Sequence, residues 1–202
     1  MPSLVLLAAC VLLLWNGAFA LSGAWGVWVP ILVVASLLDA LALRLEPALL
    51  RPKLLGLRAV GIAAAATVVQ VGATYLLYRP LSVAFAPMRV EVVELYRLMG
   101  HPSAWQAWLA IPFVVASEEI IYRGALQSLI GKRTGTAIAI VLASTIYALA
   151  HVASGNWALV GVAFVCGIFW GSVRAASRSL FAPVVCHLLW DWAILVAVPL
   201  AA

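Results

Sequence analysis

Long apolar runs separated by short polar connections make up most of the chain. The first runs from Leu4 to about Leu21, the second from Trp25 to Leu43 and the third from about Val60 to Tyr78. Four more follow: Trp105 to Ile130, Thr136 to Ala153, Trp157 to Val173, and Leu180 to about Leu200. Each approaches the ~20 residues that a helix needs to cross a bilayer core of ~30 Å. Between the third and fourth runs, Arg79 to Ser103 mixes Arg89, Glu91, Glu94 and Arg97 with apolar residues. There Val92, Leu95, Tyr96 and Met99 recur at i, i+3, i+4 and i+7, the pattern of a short amphipathic helix. Such a helix lies in the interface, covers a site entrance, or simply connects two spans. The pattern predicts an all-α polytopic transmembrane helix bundle of about seven spans, forming one integral-membrane domain over residues 1–202. In the first run, Ala18-Phe19-Ala20 resembles a cleavage site and Leu7-Ala8-Ala9-Cys10 a lipobox. No basic segment precedes either and another span follows at once, so an uncleaved first helix is expected.

Composition agrees: 66% of the residues are hydrophobic and 9% charged, which excludes the soluble globular and disordered classes. The net charge of +5 does not point to nucleic acid, because the basic residues gather in short connections. Arg44, Arg51, Lys53 and Arg58 form one group, Lys132 and Arg133 a second, Arg174 and Arg178 a third. Alternating the spans puts all three on one side, which the positive-inside bias makes cytoplasmic, together with the N-terminus. Cys10, Cys166 and Cys186 all lie in apolar runs without metal-ligand spacing and read as inert buried thiols.

Ionisable groups inside the spans stand out. Each charge near a helix centre costs ~2.5–3.5 kcal/mol on insertion scales, whereas a Leu or Ile contributes only ~0.3–0.6 kcal/mol. Glu118, Glu119 and Arg123 in the fourth run therefore nearly cancel its tendency to insert, and such residues are functional candidates by default. His151, His187 and Asp191 follow in the fifth and seventh runs, with Asp39 near the end of the second. Glu118 lies 15 residues before Arg133 and His151 lies 18 beyond it, while His187 and Asp191 are 13 and 17 beyond Arg174. At 1.5 Å per residue all four sit ~20–27 Å from the basic ends, so packed helices bring them to one depth. Glu119 and Arg123 have the i, i+4 spacing of an ion pair, which leaves Glu118 without a basic partner on its own helix. Tyr147 shares a face with His151, as His187 does with Asp191. Taken singly, a membrane His, a Glu–Arg pair or a Tyr is an ordinary packing or hydrogen-bonding group. Their common depth sets them apart.

These residues carry a resemblance to the CAAX protease and bacteriocin-processing (CPBP or Abi) family of intramembrane endopeptidases. The family pattern is Glu-Glu-x-x-x-Arg, then Phe-x-x-x-His, then His-x-x-x-Asn or Asp. Here it stands as Glu118-Glu119-Ile120-Ile121-Tyr122-Arg123, Tyr147-Ala148-Leu149-Ala150-His151 (with Tyr for the usual Phe) and His187-Leu188-Leu189-Trp190-Asp191. The resemblance covers residues 108–195, within a motif-bearing core of about 105–200, and puts a catalytic cavity between helices of the C-terminal half. It implies cleavage near the C-terminus of a membrane-attached protein or hydrophobic peptide, with the bilayer and that substrate as partners and no nucleic acid. Glu118 would be the general base, with His151 orienting and deprotonating a water. His187 and Asp191 would stabilise the oxyanion, while Glu119, Arg123 and Tyr147 position the site, Arg123 also being placed to bind a substrate carboxylate. Ionised Asp191 cannot donate a hydrogen bond, so it either stays protonated or orients His187 through a ring nitrogen. Glu118, His151, His187 and Asp191 are also chemically suitable Zn²⁺ ligands. A reaction without cofactor is the expectation and zinc the alternative, because no compact ligand spacing is present. A catalytically silent scaffold or immunity protein of the same fold and a proton-coupled transporter are the competing classes. A prokaryotic plasma membrane is the expected location.

Overall fold

The computed structural model describes residues 2–50, 56–100, 103 and 105–200; Arg51 and Lys53 of the densest basic loop lie outside them. Every regular element among the described residues is helical, which satisfies the backbone groups of each segment internally where no water can do so. The helices are α1 (Pro2–Trp25), α2 (Trp28–Leu45), α3 (Leu57–Ala84), α4 (Ala86–Met99), α5 (Ile111–Glu118), α6 (Gln127–Thr134), α7 (Thr136–Ala150), α8 (Trp157–Ser177) and α9 (Phe181–Trp192). Five apolar stretches, in α1, α2, α3, α7 continued to Ser154, and α8, are long and apolar enough to cross a membrane, and Phe181–Ala197 is a shorter apolar helix.

The fourth expected span, Trp105 to Ile130, is helical but not uniform. Gln106–Ala110 and Glu119–Leu126 form π-helical turns on either side of α5, and Ala193–Ala197 forms another beyond α9. Their signature is a bond to the carbonyl five residues back, as from Gln127 N–H to the Tyr122 oxygen. Such wide turns are rare and concentrate at functional sites. The third span also differs from expectation. Its helix continues through Arg79 and Pro80 to Ala84, six residues past Tyr78. Proline removes only one ladder bond, and the helix closes beyond it with Phe85 N–H on the Leu81 oxygen at 2.8 Å.

Small residues set the closest packing. A side chain added at Gly167 of α8 would meet Ser144 of α7 at 2.9 Å, and one at Gly171 would meet Ile140 at 3.1 Å. The two glycines are four residues apart on one face, so α7 and α8 meet backbone to backbone, as small-residue membrane interfaces do. The Gln127 side chain donates to the Gly171 carbonyl at 3.1 Å, fastening α6 to the same seam.

The basic ends lie together. Arg58 at the start of α3 donates to the Ala176 carbonyl near the end of α8 at 3.0 Å. Lys132 in the last turn of α6 pairs with Glu46 just after α2 at 2.5 Å. At the opposite end, α4 lies across the bundle. Its Glu91 carboxylate accepts from Trp157 N–H at 2.7 Å at the start of α8, and the Asn156 amide donates to the Glu91 carbonyl at 2.6 Å. Tyr96 donates to the Ile194 carbonyl at 2.5 Å. Of the predicted amphipathic stripe, Val92 is buried and Leu95, Tyr96 and Met99 are half-buried.

Candidate active site

The ionisable groups of the three motifs meet. Glu118 ends α5, Glu119 and Arg123 sit in the π-helical turns that follow, His151 caps the C-terminal end of α7, and His187 and Asp191 share a face of α9. One Glu118 carboxylate oxygen is 3.7 Å from His151 Nε2 and the other is 3.7 Å from His187 Nε2. Tyr147 donates its hydroxyl proton to Glu118 at 2.9 Å. Glu118, His151 and His187 are all buried, with exposures of 6%, 5% and 2%, yet each lines a partly open chamber. Asp191 stands at its edge, 3.6 Å from His187 Nε2.

Both imidazoles are fixed by their other nitrogen. His151 Nδ1 is 2.8 Å from the carbonyl of Tyr147, a group that only accepts, so Nδ1 carries the proton. His187 Nδ1 is 2.9 Å from Glu119 Oε1, which assigns it the same way. Each ring therefore turns Nε2 towards Glu118. The orienting carboxylate of His187 is Glu119; Asp191 faces the opposite nitrogen, at a distance too long for a direct hydrogen bond. Sequence spacing, which pairs His187 with Asp191 along α9, had no means of finding a partner on another helix.

Glu119 is fully buried, and Arg123, 2% exposed, approaches it at 3.1 Å. The guanidinium lies 4.6 Å from the Tyr147 ring centre and 5.0 Å from that of Trp170, within cation–π range of both. Arg123 is not among the residues that line the chamber. Two groups went unnoticed in the sequence. Trp170 stacks on His187 with ring centres 3.5 Å apart, and Trp15 and Phe19 of α1 lie 6.2 and 5.4 Å from the His151 ring. A Trp in an apolar run carries no signal of that kind.

The chamber has a volume of about 530 Å³ and is walled mainly by apolar side chains of α1, α2, α3, α4, α8 and α9. Met88, Val92, Leu95, Tyr96 and Met99 of α4 form one wall, so this helix covers the chamber rather than merely connecting two spans. Among the described residues, no three His, Cys, Asp or Glu side chains are grouped as metal ligands.

Residues 100–193 match the family model described as type II CAAX prenyl endopeptidase Rce1-like, and the matched stretch holds all three motifs. The resemblance carried by those motifs is thus found in an independent comparison. No curated protein and no solved structure matches the chain.

Proposed function

We propose that this chain is an intramembrane endopeptidase that hydrolyses a peptide bond near the C-terminus of a membrane-attached protein or hydrophobic peptide. The observation that carries the reading is Glu118 set between two imidazole Nε2 atoms at the wall of an apolar chamber. A separation of 3.7 Å is spanned by one water with two ordinary hydrogen bonds of ~2.8 Å, bent at the oxygen. Glu118 takes a proton from that water as it attacks the scissile carbonyl, and His151 Nε2 holds it in line. The oxyanion then falls to His187 Nε2, which donates when it carries a proton. Asp191, 3.6 Å away, faces the same nitrogen. A preorganised donor of this kind contributes ~2.7–4 kcal/mol to lowering the barrier. Glu119 and Arg123 act behind His187, holding its ring.

Orientation follows from the basic ends. Arg44, Arg58, Lys132, Arg133, Arg174 and Arg178 lie at one end of the bundle, which the positive-inside bias assigns to the cytoplasm of a prokaryotic cell, with the N-terminus. The α4 wall of the chamber is at the other end, which favours a substrate presented from the outer face, such as an exported protein held by a C-terminal anchor.

The direct test compares protein termini in membranes from cells of the native host expressing the wild type or Glu118→Gln at matched levels. Termini found only with the wild type are expected. Identical termini in both would instead support the scaffold reading.

Two further results are expected. Tyr147→Phe keeps the ring against Arg123 and removes only the hydroxyl bond to Glu118, so kcat/KM falls by no more than about tenfold. Tyr147→Ala, which empties the ring's place beside Arg123, costs much more. Cleavage by purified protein is expected to survive prolonged treatment with 1,10-phenanthroline. Loss of activity that returns with added Zn²⁺ would make Glu118, His151, His187 and Asp191 ligands of a metal centre instead.

A further inference from the structure

The N-terminal half carries no motif, yet each of its first three helices sends polar side chains to a different catalytic motif: Asn16 from α1, Asp39 from α2, and Gln70 from α3 together with Thr74, which accepts from Trp190 Nε1 at 2.8 Å. We propose that Asn16, Asp39 and Gln70 are positioning residues, one for each motif, and that α1, α2 and α3 serve as the jig in which the site is assembled. This inference rests on the peptidase reading for its meaning in catalysis, though not for its geometry.

Asn16 of α1 brackets His151. Its amide donates to the Leu149 carbonyl at 3.0 Å and its oxygen accepts from Ala153 N–H at 2.8 Å, two residues to either side of the histidine. It thereby fixes the place where α7 stops, and with it the pose of a histidine at the last turn. Asp39 of α2 accepts from the Ser117 hydroxyl at 2.6 Å, one residue before Glu118. That bond sets the end of α5 just where the π-helical turns begin. Gln70 of α3 is buried, and its oxygen accepts from Trp170 Nε1 at 2.8 Å and from the Cys186 thiol at 3.1 Å. Its amide also reaches the Cys166 sulfur at 3.4 Å. Gln70 thus holds Trp170 flat on His187 and grips the residue preceding His187 in the chain.

A polar group in an apolar helix finds its best alternative to hydrocarbon in a partner on another helix. Many helices use that for assembly alone. Here the partners are the residue beside Glu118, the residues flanking His151, and the ring stacked on His187. A general assembly role would not select those three places.

The test uses the full chain in detergent, labelled with ¹⁵N-histidine, whose ring signals report tautomer and hydrogen bonding. The chain has three histidines, so spectra of His151→Gln and His187→Gln complete the assignment. Asn16→Leu is expected to move the His151 signals and leave those of His187. Gln70→Met should do the reverse. Asp39→Leu acts through Glu118, which faces both rings, and should move both pairs. Asp39→Asn, whose oxygen still accepts the Ser117 hydroxyl, should return both to their wild-type positions. Ser36→Ala is the control, since among the described residues Ser36 bonds only to the Leu32 carbonyl of its own helix. Signals unmoved in all three variants, or moved alike in all three, would overturn the proposal. Where Glu118-dependent termini form, the same variants should lower kcat by about tenfold or more with little change in KM, as small misplacements of catalytic groups do. An unchanged kcat would also overturn it. If no such termini form, the peptidase reading fails while the histidine spectra still decide whether these residues position the rings.

Discussion

Glu118→Gln is expected to lower kcat by about 10²–10⁴-fold, the usual contribution of a general base, while leaving KM nearly unchanged. Gln has the same shape, and its carbonyl oxygen still accepts the Tyr147 hydroxyl bond that Glu118 receives at 2.9 Å. What it lacks is basicity. The variant is also expected to melt no lower than the wild type. Removing the charge takes one of three carboxylates out of a buried cluster, and catalytic arrangements of this kind are commonly held at the expense of stability. Rates measured on the purified variant, beside its melting temperature in the same detergent, check both parts. Cleavage within tenfold of the wild-type rate would remove Glu118 from the role of base.

The second large effect concerns Arg123. Arg123→Met leaves Glu119 fully buried without its cation, and breaking such a pair destabilises a protein by about 3–5 kcal/mol. A marked fall in melting temperature is expected, together with loss of cleavage. Arg123→Lys should rescue neither, because an ammonium lacks the flat guanidinium that lies against the Tyr147 and Trp170 rings. The double variant Glu119→Leu/Arg123→Met separates the two consequences. With both charges gone the melting temperature should largely recover, since an apolar pair often replaces a buried ion pair without penalty. Cleavage should not recover, because His187 Nδ1 has then lost its only described carboxylate partner. A double variant that cleaves normally would show that Glu119 does not hold the histidine for catalysis.

The sequence was most legible where membrane physics makes residues expensive. Glu118, His151, His187 and Asp191 stood out as ionisable groups in apolar runs, and counting along helices brought them to one depth. In the structure they approach one another at 3.6 and 3.7 Å. Partners across helices were a different matter. Nothing in one dimension joins Glu119 to His187, 68 positions apart, or Gln70 to Trp170, 100 positions apart. The π-helical turns at Glu119–Leu126 left no trace either, since an apolar run looks the same whether a turn holds one residue more or fewer. Asp39 was visible as a charge, but a single carboxylate does not announce that its partner is a serine next to the proposed base. The third apolar run is expected to end at Tyr78, yet its helix goes on through Arg79 and Pro80 to Ala84, because one missing ladder bond does not suffice to end a long helix.

The cage around Arg123 has a consequence for how the protein is made. Its aromatic walls, Tyr147 on α7 and Trp170 on α8, and the imidazole that meets Glu119 on α9, all follow it in the chain. As the polypeptide leaves the ribosome, the segment carrying Glu118, Glu119 and Arg123 reaches the membrane before any of them exists. At that moment Glu119 and Arg123 have each other, one turn apart, whereas the groups that meet Glu118 at 2.9 and 3.7 Å are still to be synthesised. The nascent segment is therefore least at home in lipid just when it first arrives there, and its residence becomes secure only after the last helix has been delivered. The partners that offset the charges of this span are thus supplied by helices synthesised after it, not by the apolar residues of the segment itself.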